Sequence, residues 1–209
     1  MAIDAYICFQ QYGGGWLTAE SQVNFANNTE TLMTQPFAIP TSASSGTVPN
    51  GGPAIFEIED YSFDIEQTLN IGSHSSGAGA GKVSFNPFSI TRKVDKCSPT
   101  FFEMACSGTA FQLVTLAMRK SSGAGAAGAG NTSGQVYLRF DFKLVAVKTI
   151  SWSHDDESPK ETVTFEYGGL QIRYAQQEAS GKLKTPVAGG WNRVHNTQDT
   201  GTSLIQGAK

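Results

Sequence analysis

The chain has 209 residues, a mass of 22.3 kDa and a formal net charge of −3 at pH 7. This length suits one domain with a sizeable buried core, and the slightly acidic balance offers no basic surface that would hold a nucleic acid. The 23 glycines and the abundant phenylalanine favour an all-β domain over a helical one.

The amino-terminal stretch, MAIDAYICFQQYGGG, predicts a first strand at Ile3 to Phe9 followed by a glycine turn. It lacks the basic residues that precede the apolar part of a signal peptide, and no apolar run in the chain approaches the roughly 18 residues that span a bilayer. We therefore expect a protein that is made in the cytoplasm without a signal peptide and does not insert into a membrane. Its export would need a machine that ignores signal peptides.

Residues 22–53 predict a long loop. They are rich in Asn, Thr, Ser, Pro and Gly, and apolar side chains such as Phe25, Met33 and Phe37 are scattered among them. A connection of this length is uncommon in compact domains and is usually functional or mobile. We expect its apolar residues to dock on the protein's own barrel or on a neighbour.

Two of the following segments shift the phase of their apolar alternation. In IFEIEDYSFDIEQTL the shift falls near Glu59 and Asp60, and in KVSFNPFSITRKV it falls at Pro87. Successive side chains of a strand point to opposite faces, so a shift of one residue predicts a bulge that bends the sheet toward closure.

SPTFFEMACSG is the only convincing helix, with Ser98 as the N-cap, Pro99 at the first helical position and Gly108 after its end. Residues 110–118 are apolar on both faces. That pattern predicts a central strand, or a strand that a second subunit covers.

Two long strands and a tail complete the chain. QVYLRFDFKLVAV alternates apolar residues with polar ones and predicts a long half-buried strand, and ETVTFEYGGLQIRY does the same with a phase change across Gly168 and Gly169. After about residue 178 the pattern fades into a Gly- and Thr-rich tail, which we expect to be flexible. Residues 1–209 are thus predicted to form a single all-β, mainly antiparallel domain, a small closed or nearly closed β-barrel of two curved sheets with one short α-helix.

Two glycine-rich loops resemble nucleotide-binding sequences but fail in detail. GAGAGK has Ser76 where a Walker motif requires glycine and Val83 where it requires Ser or Thr. GAGAAGAG satisfies G-x-G-x-x-G but precedes a strand, not the helix whose N-terminus would bind phosphate. We interpret both as links between strands and predict no cofactor.

The other candidates for a metal-binding or catalytic site are equally weak. His154 and the three acids after it are adjacent in a predicted turn, where neighbouring side chains diverge and rarely chelate one metal. No G-x-S-x-G elbow occurs, and the three cysteines lack C-x-x-C spacing. The sequence therefore predicts no catalytic residue, no metal, no disulfide framework and no enzyme.

The order of these segments resembles the Hcp family, the tube-forming haemolysin-coregulated proteins of bacterial type VI secretion systems. The resemblance covers nearly the whole chain, although residues 22–53 and 121–134 are longer than the corresponding family connections. It is carried by MAIDAYI, IEDYSFDIEQ, GAGAGKVSFNPFSITRKVDKCSPTFFEMACSG, FQLVTLAMRKS, FEYGGLQIRYAQQ and the GGWN at residues 189–192.

The resemblance implies a secreted structural protein. Its subunits would close into hexameric rings, the rings would stack into a hollow tube, and a contractile sheath would expel the tube with a spike protein at its tip. Small effector proteins would travel in the lumen. By resemblance, the strand that contains Ser62, Asp64 and Glu66 borders the lumen, so we expect these three side chains to face the channel.

Two other classes of function compete with this reading of the sequence. A stand-alone β-barrel binding module could use the 22–53 loop to hold a ligand, and the oligomeric state would distinguish it from a tube protein. A version of the tube protein with an added enzyme is disfavoured, because the residues after Gln177 are too few for a catalytic domain.

Overall fold

The computed structural model describes residues 3–21, 23, 33, 37, 55–70, 79–120, 135–154, 158–178 and 183–199. These residues form antiparallel strands and one α-helix. In chain order they are β1 (Ile3–Gln11), β2 (Phe56–Ile58), β3 (Asp60–Ser62), β4 (Ile65–Asn70), β5 (Gly79–Phe85), β6 (Phe88–Lys93), α1 (Ser98–Ser107), β7 (Ala110–Lys120), β8 (Val136–His154), β9 (Pro159–Tyr174), β10 (Val187–Asn192) and β11 (Thr197–Gln198).

The strands curl into a barrel that is not fully closed. The main sheet has the order β11-β10-β9-β8-β7-β1-β2, β6 pairs with both β9 and β3, and β4 and β5 form a separate hairpin. Because β3 follows β2 in the chain and β6 returns to β9, the sheet folds back on itself. The predicted fold class, a nearly closed all-β barrel with one short helix, is confirmed.

The two phase shifts in the sequence are corners of this barrel. Ile58 pairs with Ala5 of β1, whereas Asp60, two residues later, pairs with Thr91 of β6. Pro87 likewise separates β5, which pairs with β4, from β6, which pairs with β9. A strand that changes partners must turn its faces, so these shifts mark positions where the chain passes to a new partner strand rather than bulges in continuous strands.

The barrel interior is filled with aromatic side chains, and the helix contributes one of them. The ring of Phe9 lies 5.4 Å from Phe56, 5.0 Å from Phe101 of α1, 5.1 Å from Phe111 and 5.7 Å from Phe165. Aromatic pairs at these separations add to the free energy of burial. Helix α1 is therefore anchored to the core through its Phe101 side chain.

The helix lies where the sequence predicts it, with one correction at its start. Gly108 caps its C-terminus in the left-handed conformation, with φ 69°, as expected. The N-cap residue is Cys97 rather than Ser98. The hydroxyl of Ser98 instead accepts a hydrogen bond from the backbone nitrogen of Asp95 and lies 3.3 Å from Nη2 of Arg92.

A second buried cluster, which we call the outer cluster, lies on the outer face of the sheet. Met33 and Phe37, each 2% exposed, belong to one cluster with Tyr6 and Cys8 of β1 and Ala117 of β7. These two residues of the predicted 22–53 loop therefore dock on the protein's own barrel. Their position also accounts for the apolar pattern on both faces of β7, which is central in the sheet.

Part of the predicted tail is a strand. Residues 187–192 form β10 along β9, so the prediction of a flexible tail after about residue 178 is wrong for them. A strand at this position is held by backbone pairing, which requires no apolar alternation in the sequence. Gly190 is needed here because a Cβ atom would collide with the backbone oxygen of Asp199.

Several predicted features lie outside the described residues. These are most of the 22–53 loop, the glycine-rich stretch at 71–78, the expanded loop at 121–134, the acids at 155–157 and the tail from residue 200 onward.

Candidate assembly surfaces

The three predicted channel residues share one exposed polar face. Ser62 ends β3, Asp64 follows it and Glu66 lies in β4, and all three side chains are exposed. The residues between them point the other way, and the ring of Phe63 packs 5.0 Å from that of Phe140 in the core. All three side chains are exposed, as the alternation predicts, although the chain changes strand between Ser62 and Glu66; their position in a channel stays a prediction.

The residues around this face are polar, and several of them are charged. Nδ2 of Asn86 donates to Oδ2 of Asp64 at 2.5 Å, and Glu66 pairs in register with Ser84 of β5. Ser84 and Asn86 also line a pocket with Lys148, Glu166 and Arg193, so charged groups of both signs lie beside the two carboxylates. Across the described part of the chain, no three His, Cys, Asp or Glu side chains are grouped so that they could hold a metal ion.

An exposed apolar patch lies at the other face of the same hairpin, and we call it the β10 patch. Its five side chains are between 37% and 67% exposed. In register, Val187 of β10 lies opposite Tyr174 of β9, and Trp191 lies opposite Leu170, so these side chains share one face. Ile65, Ile172 and Trp191 of the patch border a groove of about 430 Å³, which Gln67, Val83 and Phe85 of the hairpin also line. The members of the patch are Ile65, Ile172, Tyr174, Val187 and Trp191.

The patterns in the sequence did not predict this patch. A signal for the patch was present in the GGWN segment. Its two glycines leave the face of the neighbouring strand, LQIRY, exposed. Periodicity could not identify it because β10 itself shows no alternation, and its partner strand is identified only by the register.

A buried ion-pair network ties helix α1 to the barrel. Nε of Arg92 donates to Oε1 of Glu161 at 2.8 Å, and Nη1 of Arg92 lies 2.9 Å from Oδ2 of Asp95. The guanidinium also lies 5.0 Å from the ring centroids of Phe56 and Phe101. Burial by itself would lower the pKa of Arg92, but the hydrogen bonds and charges of Asp95 and Glu161 raise it above its ordinary value.

A second buried network lies under the outer cluster, on a face that the sequence predicts to be solvent-exposed. Nη2 of Arg139 donates to Oδ1 of Asp141 at 2.8 Å, and Oγ1 of Thr115 donates to the same oxygen at 2.8 Å. Arg139 and Asp141 are both 0% exposed. Nη1 of Arg173 lies 3.6 Å from Oδ2 of Asp141, and burial lowers the pKa of Arg173. The half-buried strand predicted from alternation is therefore wrong for this part of β8, because a distant part of the chain covers its polar face.

The buried thiols are poor candidates for nucleophiles. Burial raises the pKa of Cys97 to about 11 and raises that of Cys8 further. Burial also raises the pKa of Tyr167 to about 12. These groups are neutral at physiological pH, and Cys106 is the cysteine with an exposed side chain.

Within the described ranges, the structure contains no helix that is both long and apolar enough to span a bilayer.

Comparison with known proteins identifies the family. The sequence pattern of the family described as "Type VI secretion system effector, Hcp" matches residues 51–174, which is more than half of the chain. The chain belongs to the Hcp family. This Hcp-family chain is also 33% identical over 120 residues to protein hcp1 of Pseudomonas aeruginosa, a match that spans 56% of the chain and 69% of that relative. The family is one of secreted tube proteins of type VI secretion systems.

Solved structures show the same fold. A type six secretion system protein has a TM-score of 0.66 at 18% identity, with 95% of this chain and all of that chain covered. Hcp1 from Salmonella typhimurium has a TM-score of 0.59 at 20% identity, with 95% and 100% covered. A mutant of Hcp1 from E. coli EAEC 042 has a TM-score of 0.58 at 15% identity, with 92% and 99% covered. At these identities the likeness establishes the fold of the Hcp barrel.

Proposed function

We propose that this protein assembles into hexameric rings that stack into a hollow tube, and that a contractile sheath expels the tube with a spike protein at its tip. The observation that carries this proposal is membership of the Hcp family over residues 51–174. In this role the protein is made in the cytoplasm, folds as one domain over residues 1–209 and leaves the cell through the secretion machine. Its work is structural and involves no catalysis.

The channel of the tube would be lined in part by Ser62, Asp64 and Glu66. Support for this comes from the exposure of all three side chains, whereas Tyr61 and Phe63 of the same segment pack against the core. Two carboxylates and a hydroxyl would keep this wall hydrated, so that small effector proteins in the lumen do not adhere to an apolar surface.

The 22–53 loop would mediate contact between stacked rings or with the sheath. Met33 and Phe37 are buried against the barrel of the same chain, so they would fix the loop to each subunit. Deletion of the loop should therefore leave single rings intact and weaken their stacking. Tubes of unchanged length after the deletion would contradict this role.

Negative-stain electron microscopy and light scattering of the purified protein test the proposed assembly. We expect rings of uniform diameter, and stacks of rings at higher concentration. A protein that stays monomeric across a wide concentration range would contradict the proposal and favour the stand-alone binding module.

A further inference from the structure

The β10 patch is held in a fixed shape by the residues behind it. Nζ of Lys143 lies 2.7 Å from Oδ2 of Asp199, and the backbone nitrogen of Asp199 donates to the oxygen of Gly190 at 2.9 Å. These contacts fasten the chain after β11 to β10 and β8. The patch is therefore presented on paired strands, and a partner would not have to order it on binding.

The size of the patch suits the core of a protein interface. If a large side chain presents roughly 200 Å², the exposed fractions of its five members correspond to roughly 460 Å². A stable interface of standard size buries about 800 Å² on each partner, with an apolar, aromatic-rich centre and a polar rim. The patch would supply about half of one side, and Tyr174 and Trp191 are residue types enriched at such centres.

The patch lies on the side of the hairpin that does not face the proposed channel. Ile65 belongs to the patch, and it alternates in sequence with Asp64 and Glu66. Since successive residues of a strand point to opposite faces, the patch and the two carboxylates are on opposite sides of the hairpin. Cargo in the channel would therefore contact the acids and would not reach the patch.

We propose that the β10 patch is the docking surface for a second copy of this chain within the ring. This inference rests on the proposed assembly and adds the surface through which neighbouring subunits meet. A different surface of the second copy covers the patch, as in any head-to-tail contact that closes into a ring. The area and the orientation away from the channel both favour a subunit over a cargo protein.

Val187→Asp tests this surface, because Val187 is 67% exposed and its replacement should leave the monomer folded. We expect assembly to require a roughly 100-fold higher protein concentration, since docking would bury an unpaired carboxylate. Val94→Asp is the matched control, an exposed valine on the link between β6 and α1. It should assemble like the wild type, and circular dichroism should show that both variants fold.

The outcomes separate the two proposals. Wild-type protein that never assembles would refute the proposed function and this inference together. If the wild type forms rings and Val187→Asp forms them at the same concentration, only this inference is refuted. Equal loss of assembly in Val187→Asp and Val94→Asp would also refute it, because the effect would not depend on the patch.

A photoreactive phenylalanine at position 174 identifies the occupant directly. Irradiation of the purified assembled protein should yield two chains joined covalently. A crosslink confined to one chain would show that the protein's own residues cover the patch, and it would overturn the inference.

Discussion

The guanidinium of Arg92 and the carboxylate of Glu161 form a buried ion pair, with Nη2 2.7 Å from Oε1 and side chains only 2% and 0% exposed. Asp95 binds the same guanidinium from the start of the link to α1, and Nε1 of Trp152 donates to Oε2 of Glu161 at 3.2 Å. The pair therefore joins β6, β8 and β9 to the segment that leads into the helix. The D-K-C-S-P run that marks the family resemblance contributes to this junction through Asp95 and Ser98.

Replacing Glu161 with Gln should destabilise the fold strongly. The change leaves a buried guanidinium with a weaker partner, and breaking a buried ion pair typically costs about 3–5 kcal/mol of unfolding free energy. Glu166→Gln on the same strand is the control, since its pair with Lys148 is exposed and such pairs contribute about 0–1 kcal/mol. Urea unfolding at neutral pH measures the unfolding free energy of both variants. Equal decreases would show that the buried pair stabilises the fold no more than the exposed pair does.

Phe37→Ala should lower stability although Phe37 lies in a stretch that the sequence predicts to be a loop. Its ring is 2% exposed in the outer cluster, and truncation of a buried phenylalanine costs about 3–5 kcal/mol. Phe102→Ala is the matched change at a ring that is 52% exposed, and it should cost much less. Thermal unfolding compares the two, and similar melting temperatures would mean that the docking of Phe37 contributes little.

Stability should fall as the pH rises through the range in which Cys97 titrates. The thiol has a pKa of about 11 in the folded protein and about 8.5 when unfolded. Below about pH 8.5 both states are protonated and the stabilisation is fully present; above it the unfolded state loses its proton first, so unfolding becomes more favourable up to about pH 11. Denaturant titrations across this range should show a smaller decline for Cys97→Ala than for Cys106→Ala, whose thiol is exposed. If the unfolding free energies of the two variants fell equally with pH, groups other than Cys97 would cause the pH dependence.

Ser62→Trp should leave ring formation intact and reduce retention of effector proteins. Ser62 is exposed on the polar face with Asp64 and Glu66, so an indole there would protrude into the proposed channel without disturbing the core. Ser151→Trp, at an exposed position on β8, is the control and should retain effectors normally. Co-purification of a bound effector with assembled rings gives the measurement. Loss of the rings themselves in Ser62→Trp would place this residue in a subunit contact instead.

Local sequence rules located most of the elements. Pro99 and Gly108 bracket the helix, and the phase shifts near Glu59 and Pro87 identify the corners at which strands change partners. The signals for these features are helix caps, a missing N–H donor and alternation, and each involves residues that are close together in the chain. For the same reason the exposure of Ser62, Asp64 and Glu66 was predictable.

The alternation along β8 fails at Leu144, which it assigns to the core with Phe140 and Phe142. Leu144 has φ 51° and an exposed side chain, whose Cδ2 lies 3.1 Å from the position that a Cβ on Gly168 would occupy. The two strands change phase together at this point, and Gly168 provides room for the leucine opposite. The glycine signalled the bend on its own strand, but its effect on Leu144 depends on the pairing of β8 with β9.

The sequence by itself determined the class of fold, the helix, the positions of the corners and the family, because each depends on local pattern or on the order of segments. Only the tertiary structure decided which faces are covered. Arg139 and Asp141 alternate with apolar residues as a solvent-facing pair would, yet they are fully buried, while Val187 and Trp191 remain exposed in the β10 patch. Alternation fixes which side chains share a face of a strand, but whether that face meets solvent depends on segments far away in the chain that pack against it.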